Sequence, residues 1–206
     1  MKKIALWAMC IAVMVLSGCR KDPEGKAEHV FVIGLDGWGA YSVEKADMPN
    51  VKALMDAGCY TLKKRSVLPS SSAVNWASMF MGAGPELHGY TEWGSRTPEL
   101  PSRVLNEHGI FPTVFSELRK AAPDAEMGVL YEWDGIKYLV DTLALNHHAQ
   151  APDYNTHPTA LCDMACEYIT QKKPVLSAFC FDNPDHVGLG DGRDTPANYA
   201  NLRALD

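Results

Sequence analysis

Two apolar runs constrain this chain most, HVFVIGLDG (29–37) and PVLSAFCFD (174–182). Each is continuous rather than alternating, and each ends in an acid. Runs of this kind read as strands buried on both faces, the pattern of a parallel sheet covered by helices. The segments between them alternate in kind. MPNVKALMDAG (48–58) predicts a short helix that opens at Pro49 and stops at Gly58. YTLKKRSVL (60–68) predicts a strand, and VNWASMFMG (74–82) a helix ended by Gly82 and Gly84-Pro85. TVFSELRKAA (113–122) and ALCDMACEYITQK (160–172) predict helices, AEMGVLYEW (125–133) a strand, GIKYLVDTL (135–143) a short helix, and TPANYANLRALD (195–206) a helix. Strands alternating with helices imply an α/β sandwich with a mostly parallel central sheet. In such sheets the working residues gather at the carboxyl ends of the strands. Asp36, the Ser70–Ser72 group and the acids of FDNPD all fall at such ends.

The first residues read differently. MKKIALWAMCIAVMVLSGC has two lysines and an apolar run of signal length, short of the ~20 apolar residues of a membrane span. Its close, Leu16-Ser17-Gly18-Cys19, resembles the lipobox of bacterial lipoproteins. That resemblance implies a signal peptide over 1–18 and a lipidated Cys19. A polar tether over 19–28 would follow, on a protein anchored to the bacterial cell envelope, in the periplasm or at the outer surface. The formal charge is −6 before the two leader lysines are lost. An acidic surface argues against a nucleic-acid polymer as partner. Of six cysteines, Cys59, Cys162, Cys166 and Cys180 lie beyond Cys19, with no CxxC pair and no structural-zinc spacing. Cys162 and Cys166 share a helix face and read as buried small apolar side chains.

VLPSSSAVNWASMFMGAGPELHG (67–89) places three serines at the mouth of a helix. Ser72 reads as an N-cap or as a nucleophile. A helix N-terminus offers free N–H groups and a positive dipole end, which suit a phosphate. A free serine is a weak nucleophile, and no histidine stands nearby in sequence as a base. Metal coordination, with carboxylates at strand ends, is the expected activator.

These residues together resemble the type I phosphodiesterase/nucleotide pyrophosphatase family of the alkaline phosphatase superfamily. The resemblance rests on Asp36-Gly37 after a strand, on residues 48–90, and on FDNPDHVG (181–188). It covers 29–206, which it marks as the N-terminal part of a catalytic domain with the alkaline-phosphatase-like fold. It implies two zinc ions and a hydroxyl nucleophile acting on phosphate esters. Pro69-Ser70-Ser71-Ser72-Ala73-Val74-Asn75 aligns with the family's Pro-Thr-x-Thr-x-x-Asn, which implies Ser72 as nucleophile and zinc ligand and Asn75 as support for a phosphate oxygen. Asp36 and Asp185 are implied as zinc ligands. His88, in Gly-x-x-Pro-x-x-His-Gly, is expected to be structural.

The family's Asp-x-x-Gly-His reads Asp185-His186-Val187-Gly188-Leu189, so a ligand histidine is replaced by leucine. A later Asp-His-Gly segment and a last histidine have no counterpart, and the expectation is a truncated relative with an exposed sheet edge. The function implied is hydrolysis of a phosphoric ester, the ligand a nucleotide or phospholipid head group. The alternative is an inactive lipoprotein that keeps the fold for binding. Sulfatases carry Cys/Ser-x-Pro-x-Arg, which is absent after the first strand. NHHAQAPDYNTHP (146–158), with His147, His148 and His157, reads as a solvated loop. Trp38, Trp76, Trp93 and Trp133 are candidates to line a pocket, as is His186.

Overall fold

The computed structural model describes residues 27–206. The leader, Cys19 and most of the tether lie outside the described residues. Four parallel strands form one sheet: β1 (Val30–Leu35), β2 (Met127–Tyr131), β3 (His147–Gln150) and β4 (Leu176–Phe181), in the spatial order β1-β4-β2-β3. Helices α1 (Pro49–Ala57), α2 (Ser72–Met81), α3 (Pro85–His88) and α4 (Val114–Ala121) lie between β1 and β2. Helix α5 (Ala160–Lys172) connects β3 to β4, and α6 (Asn183–Gly190) and α7 (Pro196–Leu205) follow.

The central pair β2 and β4 explains the two-sided core. Every residue of both strands is buried. Side chains alternate across a strand, so Met127, Val129, Tyr131, Ala178 and Cys180 pack under Trp76, Ala77, Phe80 and Phe115 of α2 and α4. Leu130, Phe179 and Phe181 face the other way, onto Leu161, Ala165 and Tyr168 of α5. The continuous apolar run of β4 therefore has helices on both sides. Helix α4 is fixed locally by a capping box, with Ser116 N–H donating to Thr113 Oγ1 (3.2 Å) and Thr113 N–H to Ser116 Oγ (2.8 Å).

Several sequence expectations are corrected. Residues 60–68 form no strand: they run along the surface, nearly all exposed, and pair with no strand of the sheet. Alternating Thr, Lys and Leu gave the pattern of a strand without a partner to complete it. β1 is not buried on both faces. Among the described residues it is an edge strand, with Val30, Phe31 and Ile33 at 46%, 40% and 61% exposure. The expected loop at 146–158 begins with strand β3, whose two histidines diverge: His147 stacks on Tyr168, and His148 Nδ1 lies 3.4 Å from Tyr131 Oη. The expected helix at 135–143 is a pair of 3-10 turns, Asp134–Tyr138 and Thr142–Ala144. Cys166 is exposed rather than buried, Cys162 half-buried and Cys180 buried, and all three are free thiols, as is Cys59.

His88 ties α2 to α3 from within the core. It is fully buried. Its Nδ1 accepts from Tyr90 N–H (3.1 Å), so its proton sits on Nε2, which faces Ser78 Oγ at 2.9 Å. Ser78 Oγ donates onward to Val74 carbonyl (2.7 Å). The chain of donors and acceptors is complete with a neutral ring, and burial pushes the imidazole below its ordinary value. The unfolded chain therefore takes up this proton first as pH falls. The stability this ring contributes is complete above about pH 6.5 and is lost as pH drops through the lowered folded value. Unfolding in urea should show stability falling from about pH 7 to pH 5, and His88→Gln should flatten that slope. An unchanged slope in His88→Gln would mean that this histidine does not carry the pH dependence.

Candidate functional site

The loop after β1 and the start of α2 meet at the carboxyl end of the sheet. A cavity of about 730 Å³ opens there, lined by Asp36, Ser72, Asn75, Trp76, Asp185 and Arg193 among others. Asp36 is reached because β1 ends at Leu35, with the Asp36 N–H bonded to Phe181 carbonyl of β4 (2.8 Å). Its carboxylate accepts three hydrogen bonds: Ser72 Oγ to Oδ2 (2.8 Å), Trp76 Nε1 to Oδ2 (3.2 Å) and Gly37 N–H to Oδ1 (2.9 Å). The Trp76 ring can lie there because residue 34 is glycine. A Cβ at that position would sit 2.3 Å from the tip of the indole.

Ser72 is not the N-cap. The cap position is Ser71, in extended backbone, and α2 starts at Ser72. Neither serine caps with its side chain. Ser71 Oγ is buried without a hydrogen-bond partner, whereas Ser72 Oγ turns to Asp36. Ser70, farther out, accepts from Ser66 Oγ (2.9 Å). Of the three serines, Ser72 is therefore the one whose hydroxyl meets a carboxylate in the cavity, at the positive end of a ten-residue helix.

Asn75 also lines the cavity, but its amide is committed to the serine loop. Its Oδ1 accepts from Val67 N–H (2.9 Å), and its Nδ2 donates to Ser71 carbonyl (3.0 Å). It braces the backbone that presents Ser72.

Asp185 arrives from α6, a helix not foreseen from the FDNPDHVG stretch. Its carboxylate stands against Gly37: a Cβ on Gly37 would lie 2.3 Å from Asp185 Oδ1 and 2.7 Å from its Cα. Gly37 also has φ +66, a conformation that glycine adopts at least cost. Arg193 donates from Nη2 to Asp185 Oδ1 (2.7 Å) and from Nη1 to Gly37 carbonyl (3.1 Å). Leu189 lines the same cavity, 70% exposed.

A residue missed in the sequence, Glu132, and one of the FDNPD acids, Asp182, shape this region. Glu132, just past β2 and 8% exposed, accepts from the N–H groups of Asp182 and Asn183 (2.7 and 2.9 Å) and so anchors the start of α6. Burial pushes its carboxyl up from the usual range. Asp182 is pushed to about 6 by burial and by the nearby charges of Asp36, Asp185 and Glu132. The sequence signal for Glu132 was an acid ending a buried strand, the same signal that marked Asp36. Trp38, Trp76 and Trp93 line the cavity, and Trp133 packs against Trp93. His186 does not line it: its ring meets Tyr154 edge-on.

For a divalent metal, the donor set fits at one position and not at another. Asp36 and Ser72 bring a carboxylate and a hydroxyl oxygen together at 2.8 Å, which suits a cation that takes oxygen ligands. Asp185 is already balanced by a guanidinium, and its neighbour Leu189 has no donor atom. Among the described residues, no three His, Cys, Asp or Glu side chains gather as a metal site.

Residues 30–110 match the family model described as type I phosphodiesterase / nucleotide pyrophosphatase. No curated protein sequence matches the chain. Solved structures share its fold. Murine ectonucleotide pyrophosphatase / phosphodiesterase 5, in an inactive form in complex with AMP, superposes with a TM-score of 0.65 at 16% identity, covering 86% of this chain and 49% of that one. Phosphonoacetate hydrolase from Sinorhizobium meliloti 1021, in complex with phosphonoacetate, gives 0.59 at 15% identity, covering 86% of this chain and 51% of that one. The chain thus spans about half the length of these solved relatives. At such identities the likeness establishes the mixed α/β fold and its parallel sheet.

The Gly37 contact yields a paired test. Gly82 also has positive φ (+60), but a Cβ there meets nothing within 4 Å. Gly82→Ala should therefore cost only backbone strain. Gly37→Ala should cost that strain and a further ~1–3 kcal/mol for the collision with Asp185. Equal losses in denaturant titrations of the two variants would show that the two segments do not meet.

Proposed function

We propose, from the match of residues 30–110 to the type I phosphodiesterase / nucleotide pyrophosphatase family model, that this chain is a metal-dependent hydrolase of phosphoric esters with Ser72 as its nucleophile. The observation that carries this reading is the Ser72 Oγ to Asp36 Oδ2 hydrogen bond (2.8 Å) at the start of α2. Ser72 stands at the first helical position rather than at the cap, so its hydroxyl is not engaged in capping the helix. That hydroxyl is aimed at a carboxylate inside a cavity.

Asp36 and Ser72 are the residues that would hold a divalent metal, and zinc is the ion the family resemblance implies. When bound, it would lower the pKa of the Ser72 hydroxyl and offset the charge gathering on the transferred group. The remaining work falls to the chain. Trp76 and Gly37 N–H fix the orientation of the Asp36 carboxylate, and Asp36 in turn holds Oγ toward the cavity. Ser72 Oγ, its proton released to solvent, attacks phosphorus; the P–O ester bond breaks, the ester oxygen leaves with the electron pair and takes a proton from water, and a phosphoryl ester forms on Ser72. Water then attacks that phosphorus, the P–Oγ bond breaks, one water proton passes to Oγ to restore the hydroxyl, and the phosphoryl product is released. Asn75 keeps the 67–71 loop in place around the reacting group. The α2 N-terminus favours the anionic oxygens.

The substrate class is a small phosphate ester or phosphonate, with a nucleotide or a phospholipid head group as the candidates. The AMP and phosphonoacetate complexes of the structural relatives support this scale. The indoles of Trp38, Trp76 and Trp93 supply apolar surface for an organic group beside the phosphate. A lipid on Cys19 would hold this site at the bacterial envelope, on the periplasmic or outer side.

A chromogenic phosphodiester assay tests the proposal. Ser72→Ala should lower the rate by at least ~10³-fold while leaving the fold intact. A chelator should abolish turnover, and added zinc should restore it. Turnover by Ser72→Ala at the wild-type rate would remove Ser72 from the chemistry.

A further inference from the structure

The acids in and beside this cavity set an electrostatic problem. Asp36 and Asp185 line it, Asp182 lies close enough to feel both, and a phosphate ester adds negative charge to that group. A cation on the Asp36 side leaves Asp185 to be balanced by something else. The structure supplies that balance from the chain itself. Arg193 stands on Asp185 at 2.7 Å and on Gly37 carbonyl at 3.1 Å, and it lines the cavity.

Its placement is built rather than incidental. Arg193 carbonyl accepts from Asn198 Nδ2 (2.9 Å), and Asn198 is 3% exposed. Thr195, two residues on, bonds Gly192 carbonyl through Oγ1 (2.8 Å) and accepts Asn198 N–H at the start of α7 (3.3 Å). The aliphatic stem lies over Gly188 of α6: a Cβ there would come within 3.1 Å of Arg193 Cγ. Glycine at 188 thus leaves room for the arginine. The side chain remains 44% exposed against 18% for Asp185, and both residues line the cavity. A guanidinium carries more N–H donors than the two bonds above use, and its planar fork matches a phosphate.

We propose that Arg193 is a ligand-binding residue of this cavity, its guanidinium taking the place of a cation beside Asp185 and donating to an anionic oxygen of the bound phosphate ester. The proposal rests on the reading of this cavity as a phosphate-ester site, but not on Ser72 being the nucleophile. Arg193 makes no bond to the reacting atoms. It orients the ester and neutralises charge.

AMP binding measured by calorimetry on the full chain, with chelator present, tests it. Wild-type protein should bind AMP without metal. Arg193→Met should weaken binding by about tenfold or more, and Arg193→Lys, which keeps the charge without the fork, should fall between. Adenosine, which lacks the phosphate, should bind wild type and Arg193→Met alike, and circular dichroism should show both folded. Three results would overturn the proposal: no AMP binding by the chelated wild type, unchanged AMP affinity in both variants, or equal loss of AMP and adenosine. If Arg193→Met does not fold, the Arg193→Lys affinity decides alone. Arg193-dependent AMP binding together with full turnover by Ser72→Ala would remove the serine nucleophile and leave the arginine in place.

Discussion

The contact between Ser72 Oγ and Asp36 Oδ2 is where the two halves of this architecture meet. One partner is delivered by the end of a strand, the other by the start of a helix 36 residues later. Neither position is set by local chemistry. Among the described residues, β1 pairs on its β4 side alone, through the full register from Val30 with Leu176 to Leu35 with Phe181. Helix α2 is held by its apolar face, with Ala73, Val74, Trp76, Ala77 and Phe80 buried. Trp76 serves both purposes. Its ring packs on Phe80 in the core, and its N–H reaches Asp36. Packing and polar geometry are thereby locked to one another, and a shift of α2 along the sheet would break both.

Around that contact the fold concentrates negative charge. Asp36, Glu132 and Asp182 stand just past the ends of three different strands, and Asp185 stands in the first turn of the helix that follows β4. This follows from parallel topology, which brings every strand's carboxyl end to one edge. The two inner acids are stabilised in different ways. Glu132 accepts two backbone N–H groups at the start of α6. Among the described residues, the Asp182 carboxylate accepts one long bond, from Tyr154 Oη (3.4 Å), and its carboxyl rises to about 6 through burial and its acidic neighbours. Such clustering is costly unless a positive group completes it. The Asp36–Ser72 side suits a divalent cation, and the Asp185 side has Arg193.

Much of this was legible in the sequence, for reasons that differ by residue. Asp36 stood out because an acid at the end of a buried apolar run is a poor core residue and a good strand-end residue. The serines stood out by their place before a helix, though the cap fell one residue earlier than the pattern indicated, on Ser71. The resemblance selected Ser72 among them; composition alone could not, because three adjacent hydroxyls look alike until the helix phase is known. Residues 60–68 misled because alternation describes a strand only when a neighbour completes its hydrogen bonds. β1 misled in the opposite way: its apolar run matched a doubly covered strand, yet among the described residues one side of it is open. Arg193 left no trace in a linear pattern, since its role exists only through contacts with Asp185 and Gly37; Glu132 carried the same strand-end signal as Asp36, but its partners at the start of α6 are 50 and 51 residues away.

The most direct test of the central claim is to catch the serine in the act. Acid-quenched protein, mixed with a phosphate ester substrate and digested for mass spectrometry, should carry a phosphoryl or nucleotidyl adduct on Ser72. Finding that adduct on Ser72 alone would establish the nucleophile that its bond to Asp36 implies. An adduct on Ser70 or Ser71, or turnover with no adduct on this loop, would contradict the account.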